Sequence, residues 1–217
     1  MSNKPRYLIT TADERTWKLG EPVLWLGEWC RTYTRRHVWQ AMDGQLLEYH
    51  WDDRERLGRD YLYLNALYEK TLASLADQLN SIHGTQHSLR YWRILAGPWL
   101  ATFTHVLYDR WLSIQCAVEQ YTIAGTLLLP RVDKVFESPN DIIDFLNLIR
   151  GDEWNSHVYA EIIKQFESIP VSASNPARAT PERDIKATPN DGHGRQGFKS
   201  YINKSIRSFA LWIAKRF

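Results

Sequence analysis

The chain has 217 residues, enough for one domain with a substantial core or one and a half small ones, and its 44% hydrophobic and 24% charged composition is that of a soluble globular protein, for which neither disorder nor a membrane bundle is the default. The net charge of +2 is unevenly placed, because Val171 to Phe217 holds nine Lys/Arg against three Asp/Glu and leaves 18 against 22 for the rest. The body is therefore mildly acidic, without the electrostatic footprint of a nucleic-acid binder, and Cys30 and Cys116, lacking CxxC spacing, read as reduced cytoplasmic thiols.

In chain order, the first element is a short apolar run, Arg6 to Thr11, followed at once by Asp13, Glu14 and Arg15. The segment before it has no apolar core of the signal-peptide kind. Pro22 to Leu26 is a second run and ends in Gly27-Glu28-Trp29-Cys30-Arg31; Leu46 to Tyr49 is a third and ends in His50-Trp51-Asp52-Asp53-Arg54. Thr126 to Leu129 is a fourth. Continuous apolar runs of this length suit strands covered on both faces, as in parallel sheets.

Helices are expected between them. Arg35 to Met42 is a weak one. Asp52 or Asp53 caps a long one reaching Ile82, with Tyr61, Leu64, Tyr68, Leu72, Leu75, Leu79 and Ile82 on one face. Ser88 reads as the N-cap of the next, and Pro98 as the first residue of yet another, since proline breaks or kinks a continuous helix. Pro139-Asn140-Asp141 starts a short helix and Asp152 to Ser168 forms a further one. Strands alternating with helices predict an α/β fold, a Rossmann-like open parallel sheet with long helices, over residues 1–168.

Two sets of candidate site residues follow. Open α/β sheets place their working groups outside the carboxyl ends of the strands, and polar clusters stand there: Asp13/Glu14, Glu28 and His50/Asp52/Asp53. Asp13, Glu28 and His50, with His87 from the stretch after the long helix, are candidates for a general base or an orienting group. Asp52 and Asp53 serve equally as helix caps. The second set is Ser88, Arg90 and Arg93. Two arginines at a helix start oppose the macrodipole by roughly 0.3–1 kcal/mol each. They fit either an anionic ligand, phosphate or carboxylate, or neutralisation by Asp or Glu from elsewhere in the fold. His83 and His87 stand four apart, but no third ligand is fixed by spacing and no metal site is assigned. Walker, GxGxxG and GxSxG signatures are absent. Ten tryptophans suit either core filling or stacking platforms for sugars or bases.

From residue 169 to 197 the chain is rich in Pro, Gly, Ser and Thr, and reads as a flexible linker. Residues 198–217 regain helical periodicity: Phe198, Ile202, Ile206, Phe209, Ile213 and Phe217 share one face, with Lys204, Arg207 and Lys215 opposite. This basic amphipathic helix suits docking on protein or on an anionic membrane surface.

The segments Y-L-I-T-T-A-D-E-R-T-W, P-V-L-W-L-G-E-W-C-R, Y-H-W-D-D-R, L-N-S-I-H-G-T-Q-H-S-L-R-Y-W-R-I-L-A-G-P-W-L and D-R-W resemble the N-terminal half of a bacterial transferase family of O-antigen and other surface-carbohydrate gene clusters. The resemblance runs from Tyr7 to Tyr159, and its most specific part is H-S-x-R-Y-W-R-I-L-x-G-P-W. It implies a glycosyltransferase-like enzyme of paired α/β halves, GT-B-like, with this chain as the acceptor-side half and the donor-site half missing. It also implies a nucleotide-activated sugar as co-substrate rather than a cofactor, a phosphate-bearing or activated-sugar partner, and a cytoplasmic location, at the inner face of the membrane if the terminal helix binds lipid. The other reading is a non-catalytic, membrane-associated binding module anchored by that helix.

Overall fold

The computed structural model describes residues 4–130, 139 and 141–173. Its centre is a five-stranded parallel sheet of β1 (Arg6–Ile9), β2 (Val23–Trp25), β3 (Gly44–Leu46), β4 (Ile123–Leu128) and β5 (Val171–Ala173), in the order β3-β2-β1-β4-β5. Helix α1 (Arg36–Trp39) joins β2 to β3, and α2 (Arg54–His83) and α3 (Leu89–Gln120) lie between β3 and β4. Helices α4 (Ile142–Leu148) and α5 (Asp152–Ile163) lie between β4 and β5. The fold is thus the open, Rossmann-like parallel α/β sheet with long helices that the alternation of elements predicts.

Burial explains the strand composition. Leu8 and Ile9 of β1 and all three residues of β2 are buried, so both faces of these strands are covered and apolar side chains are favoured at consecutive positions. The edge strands obey a weaker constraint. β3 is mostly exposed and pairs with β2 through Val23↔Gly44, Leu24↔Gln45 and Trp25↔Leu46. The apolar run Leu46 to Tyr49 therefore begins where the strand ends. Gly44 is fixed by packing: a Cβ there would stand 2.2 Å from Trp25 Nε1. β5 lies past the expected boundary at residue 168. Its three residues are exposed and join β4 by backbone pairing (Thr126↔Val171), so no apolar pattern announces it. The remainder of the linker and the amphipathic helix expected over 198–217 lie outside the described residues.

Asp53 caps α2, accepting from the backbone N–H groups of Glu55 and Arg56 at 2.9 and 3.0 Å. Gly84 ends it with φ +62°, a left-handed conformation that favours glycine. Helix α3 differs from expectation, running unbroken from Leu89 through Pro98 to Gln120. Proline removes the bond to the carbonyl of Ile94, but Pro98 and Ile94 lie on the exposed face, where solvent hydrates that carbonyl. Buried Gly97 and Leu100 on the opposite face keep the helix packed on both sides of the proline.

The α2–α3 pair divides into two regions. Near the sheet, Leu64 and Leu67 of α2 and Phe103, Leu107, Leu112 and Ile114 of α3 join the main core. Farther out, Ala76, Leu79 and Trp92 form a small cluster of their own. At about 1.5 Å per residue each helix is about 45 Å long, so the pair forms a hairpin that carries its turn well away from the sheet.

Candidate functional site

The chain runs outward from β1 through β2 to β3, then returns to β4 on the other side of β1. Strand order reverses between β1 and β4, and ligands of open α/β sheets bind outside the carboxyl ends near such a point. Here those ends carry a buried polar cluster.

After β3 the chain turns through Tyr49 into a short helix, His50–Asp52. Trp51 and Tyr108 both donate to Asp60 of α2, at 2.9 and 3.0 Å, which pins this turn against the two long helices. The side chain of His50 is 2% exposed, and its Nε2 stands 3.4 Å from Asp109 Oδ1, within ion-pair reach but off hydrogen-bond alignment. Tyr49 donates its hydroxyl to the same oxygen at 2.9 Å. Arg110 Nη1 donates to Asp109 Oδ2, and Arg110 Nε donates to Asn155 Oδ1 at 3.0 Å. Asn155 is itself fixed, since its amide donates to the carbonyls of Ile149 and Gly151 at 2.9 Å each.

From the other strand ends, Trp29 donates to the carbonyl of Thr10 at 3.0 Å and offers its ring face to Arg110, 6.0 Å away. Thr11 and Ser156 share a buried hydrogen bond of 3.2 Å, tying β1 to α5. Tyr159, one helical turn after Asn155 on the same face of α5, is fully buried, and its hydroxyl has no hydrogen-bond partner among the described residues.

The electrostatics follow from this packing. Burial pushes the Asp109 carboxyl up, but the His50 imidazole, the Arg110 charge and the Tyr49 hydroxyl outweigh it, and the group is held below the ordinary carboxylate value. Asp109 is therefore ionised near neutrality. Burial and the nearby Asp109 charge raise the Tyr49 phenol, and burial raises that of Tyr159. The Cys30 thiol, buried under β1 with its Sγ 3.4 Å from the carbonyl of Ile9, is pushed up to about 12 by desolvation and is not a nucleophile.

An ionised Asp109 beside Nε2 electrostatically favours the His50 tautomer protonated there. The arrangement has the chemistry of a general base with its orienting acid.

Of the candidates read from sequence, Asp13, Glu28 and His50 all stand at the carboxyl ends of neighbouring strands, and only His50 enters the buried cluster. Asp13 is occupied locally: it caps the short helix Glu14–Thr16 and receives Arg15 Nε at 3.0 Å and Nη2 at 2.6 Å. Glu28 is 70% exposed on its side chain and paired with Arg31 at 2.5 Å. The second set stands at the hairpin turn. Ser88 caps α3, accepting from the N–H of Tyr91 at 3.3 Å, and His87 stacks on Tyr91 with centroids 3.9 Å apart. Arg93 makes two hydrogen bonds of 2.6 Å to Glu69, so a carboxylate of α2 already neutralises it. Arg90 is exposed and precedes Asp109 by about 28 Å along α3. The strand-end cluster and the helix-start arginines are two separate places.

Asp109, Arg110, Asn155, Tyr49 and Tyr159 are absent from the residues that sequence singled out. A signal for the first two was present. Asp109 and Arg110 are adjacent charges inside the apolar run V-L-Y-D-R-W-L-S-I, and two charges in a core-facing stretch need partners. The segments Y-H-W and D-R-W, quoted separately for the resemblance, meet here as one site.

Fold and site together define an open parallel α/β protein with a buried polar cluster at the switch point of its sheet. The chain belongs to the LIC12162 family transferases, whose family model matches residues 6–216. No curated protein and no solved structure matches it. Among the described residues, no helix is long and apolar enough to cross a membrane.

Proposed function

We propose that the protein catalyses glycosyl transfer in bacterial surface-carbohydrate assembly, from a nucleotide-activated sugar to an acceptor hydroxyl bound at the carboxyl ends of β1, β2 and β3. The single observation that carries this reading is the buried His50–Asp109 pair at the strand ends of a transferase-family chain. His50 takes the proton of the acceptor hydroxyl, its oxygen bonds to the anomeric carbon, and the bond to the nucleoside diphosphate breaks with the electron pair leaving on phosphate. Asp109, 3.4 Å from Nε2, is the carboxylate that faces the ring. Tyr49 and Trp29, each 39% exposed beside the cluster, offer ring faces on which a sugar stacks. The resemblance to paired-domain glycosyltransferases supports an acceptor-side role, with the donor presented by a second α/β half.

Nucleoside diphosphate release from a panel of nucleotide sugars, with surface-glycan acceptors present, tests the proposal. His50→Asn should lower the rate by about 10²–10⁴-fold, the usual contribution of a positioned base. No release with any donor would refute it. Attachment through residues 198–217 to the inner face of the cytoplasmic membrane belongs to the same proposal. It predicts sedimentation with anionic but not neutral vesicles, and equal sedimentation with both would count against it.

A further inference from the structure

The buried cluster contains a cation whose hydrogen-bonding capacity is only partly used. Arg110 lies in the middle of α3, and its guanidinium is fixed on three sides. Nη1 is held by Asp109, Nε by Asn155 at 3.0 Å, and the plane lies 6.0 Å from the Trp29 ring. Its side chain is nonetheless 21% exposed, and Nη2 has no partner among the described residues. Asp109 does not belong to Arg110 alone, because it also accepts from Tyr49 and faces His50. The outer edge of the guanidinium thus stays available at the strand ends. The other cations of this rim, Arg15, Arg31 and Arg35, are paired with carboxylates that are not shared with a histidine and a tyrosine as Asp109 is, namely Asp13, Glu28 and Glu14.

A locked, planar guanidinium with an open edge suits multi-oxygen anions, since its donors are held in the geometry that phosphate oxygens accept and little rotamer freedom remains to be lost. We infer that Arg110 is the phosphate-binding residue of this protein, receiving a phosphate ester of the substrate on its Nη2 edge beside His50. This deepens the glycosyl-transfer reading and rests on it for the substrate class. It also puts the anion site at the strand-end cluster, away from the hairpin turn of Arg90 and Arg93. The phosphate has two sources, the diphosphate of a nucleotide sugar or the phosphate of a lipid-linked acceptor.

The test is calorimetric titration of the full chain at constant ionic strength with inorganic pyrophosphate, a nucleoside diphosphate and a short prenyl phosphate. Wild type should bind pyrophosphate, and Arg110→Lys, which keeps the charge and loses the fork, should bind at least 10-fold more weakly. The tighter of the other two ligands identifies the source. Asn155→Asp is the second variant, for the case in which Arg110→Lys does not fold: a new carboxylate at Nε should weaken pyrophosphate binding by a similar factor. No pyrophosphate binding by wild type, unchanged affinity in a folded Arg110→Lys or in Asn155→Asp, or loss of binding in Arg90→Ala/Arg93→Ala would each overturn the inference. Phosphate binding at Arg110 without any sugar transfer would instead sink the glycosyl-transfer reading and leave this site standing. Transfer that depends on His50 while Arg110→Lys keeps wild-type phosphate affinity would do the reverse.

Discussion

Asp109 is the residue on which the cluster depends. It accepts from Tyr49 and Arg110 and faces His50, so its removal leaves a half-buried guanidinium without its buried counter-charge. Breaking a buried pair from one side costs about 3–5 kcal/mol. Asp109→Asn should therefore lower the unfolding free energy at neutral pH by that order in denaturant titration, whereas Tyr49→Phe, which removes one hydrogen bond, should cost about 1 kcal/mol. The sign of the pH dependence follows from the depressed carboxyl. Its stabilisation is complete above the unfolded-state value of about 4 and is lost as pH falls through the lower folded-state value. Stability curves should thus show a shallower acid loss for Asp109→Asn than for wild type, and parallel acid limbs would contradict the assignment. Cys30 and Cys116 are buried with raised thiols, so neither should react with a thiol-specific reagent at pH 8 until the protein unfolds. Prompt labelling of the native chain would show that the site region opens.

The hairpin turn between α2 and α3 shows what a distinctive sequence segment can mean at the level of an element. Ile82 to Leu100 breaks the rule for charge at a helix start, yet its contacts are mostly those of chain reversal. Asn80 is the staple: its Oδ1 accepts from Thr85 Oγ1, the N–H of His87 and Trp92 Nε1 at 3.0, 2.9 and 2.9 Å, and its Nδ2 donates to the carbonyl of His87 at 2.9 Å. Gly84 supplies the left-handed residue, and its N–H meets the carbonyl of Asn80. Asn80→Ala should raise amide exchange from Ile82 to Trp92 while the sheet stays protected, and Gly84→Ala should cost about 1 kcal/mol through its positive φ. Protection of the turn in Asn80→Ala would show that the staple contributes little. The Asp53 cap and the 3.6-residue periodicity made α2 readable from sequence, because both signals are local. The single α3 was not, because a proline on a solvent-facing position breaks a local rule that only tertiary packing excuses. β3 and β5 were misplaced or missed because edge strands are held by backbone pairing, which leaves no side-chain pattern.

At the scale of the whole molecule, parallel order converts local loops into one site. His50 was readable as a strand-end residue, but Asp109 comes from the middle of a helix and Asn155 from another. Their meeting depends on α3 and α5 packing together over the ends of β1 and β2, which no spacing in the chain announces. The same architecture separates this cluster from the hairpin turn. A cavity of about 500 Å³ at the opposite, amino ends of the strands, lined by Lys4, Gly20, Pro22, Met42 and Asp43 among others, has no comparable set of buried ionisable groups. The strand-end cluster is thus the place to which the proposed reaction is assigned. The most direct measurement is the rate of nucleoside diphosphate release, in the presence of acceptor, by wild type and by His50→Asn of equal thermal stability. A fall of at least about 10²-fold with the fold intact is the expected result. A rate that stays within a few-fold of wild type would contradict the placement of the reaction at His50 and Asp109.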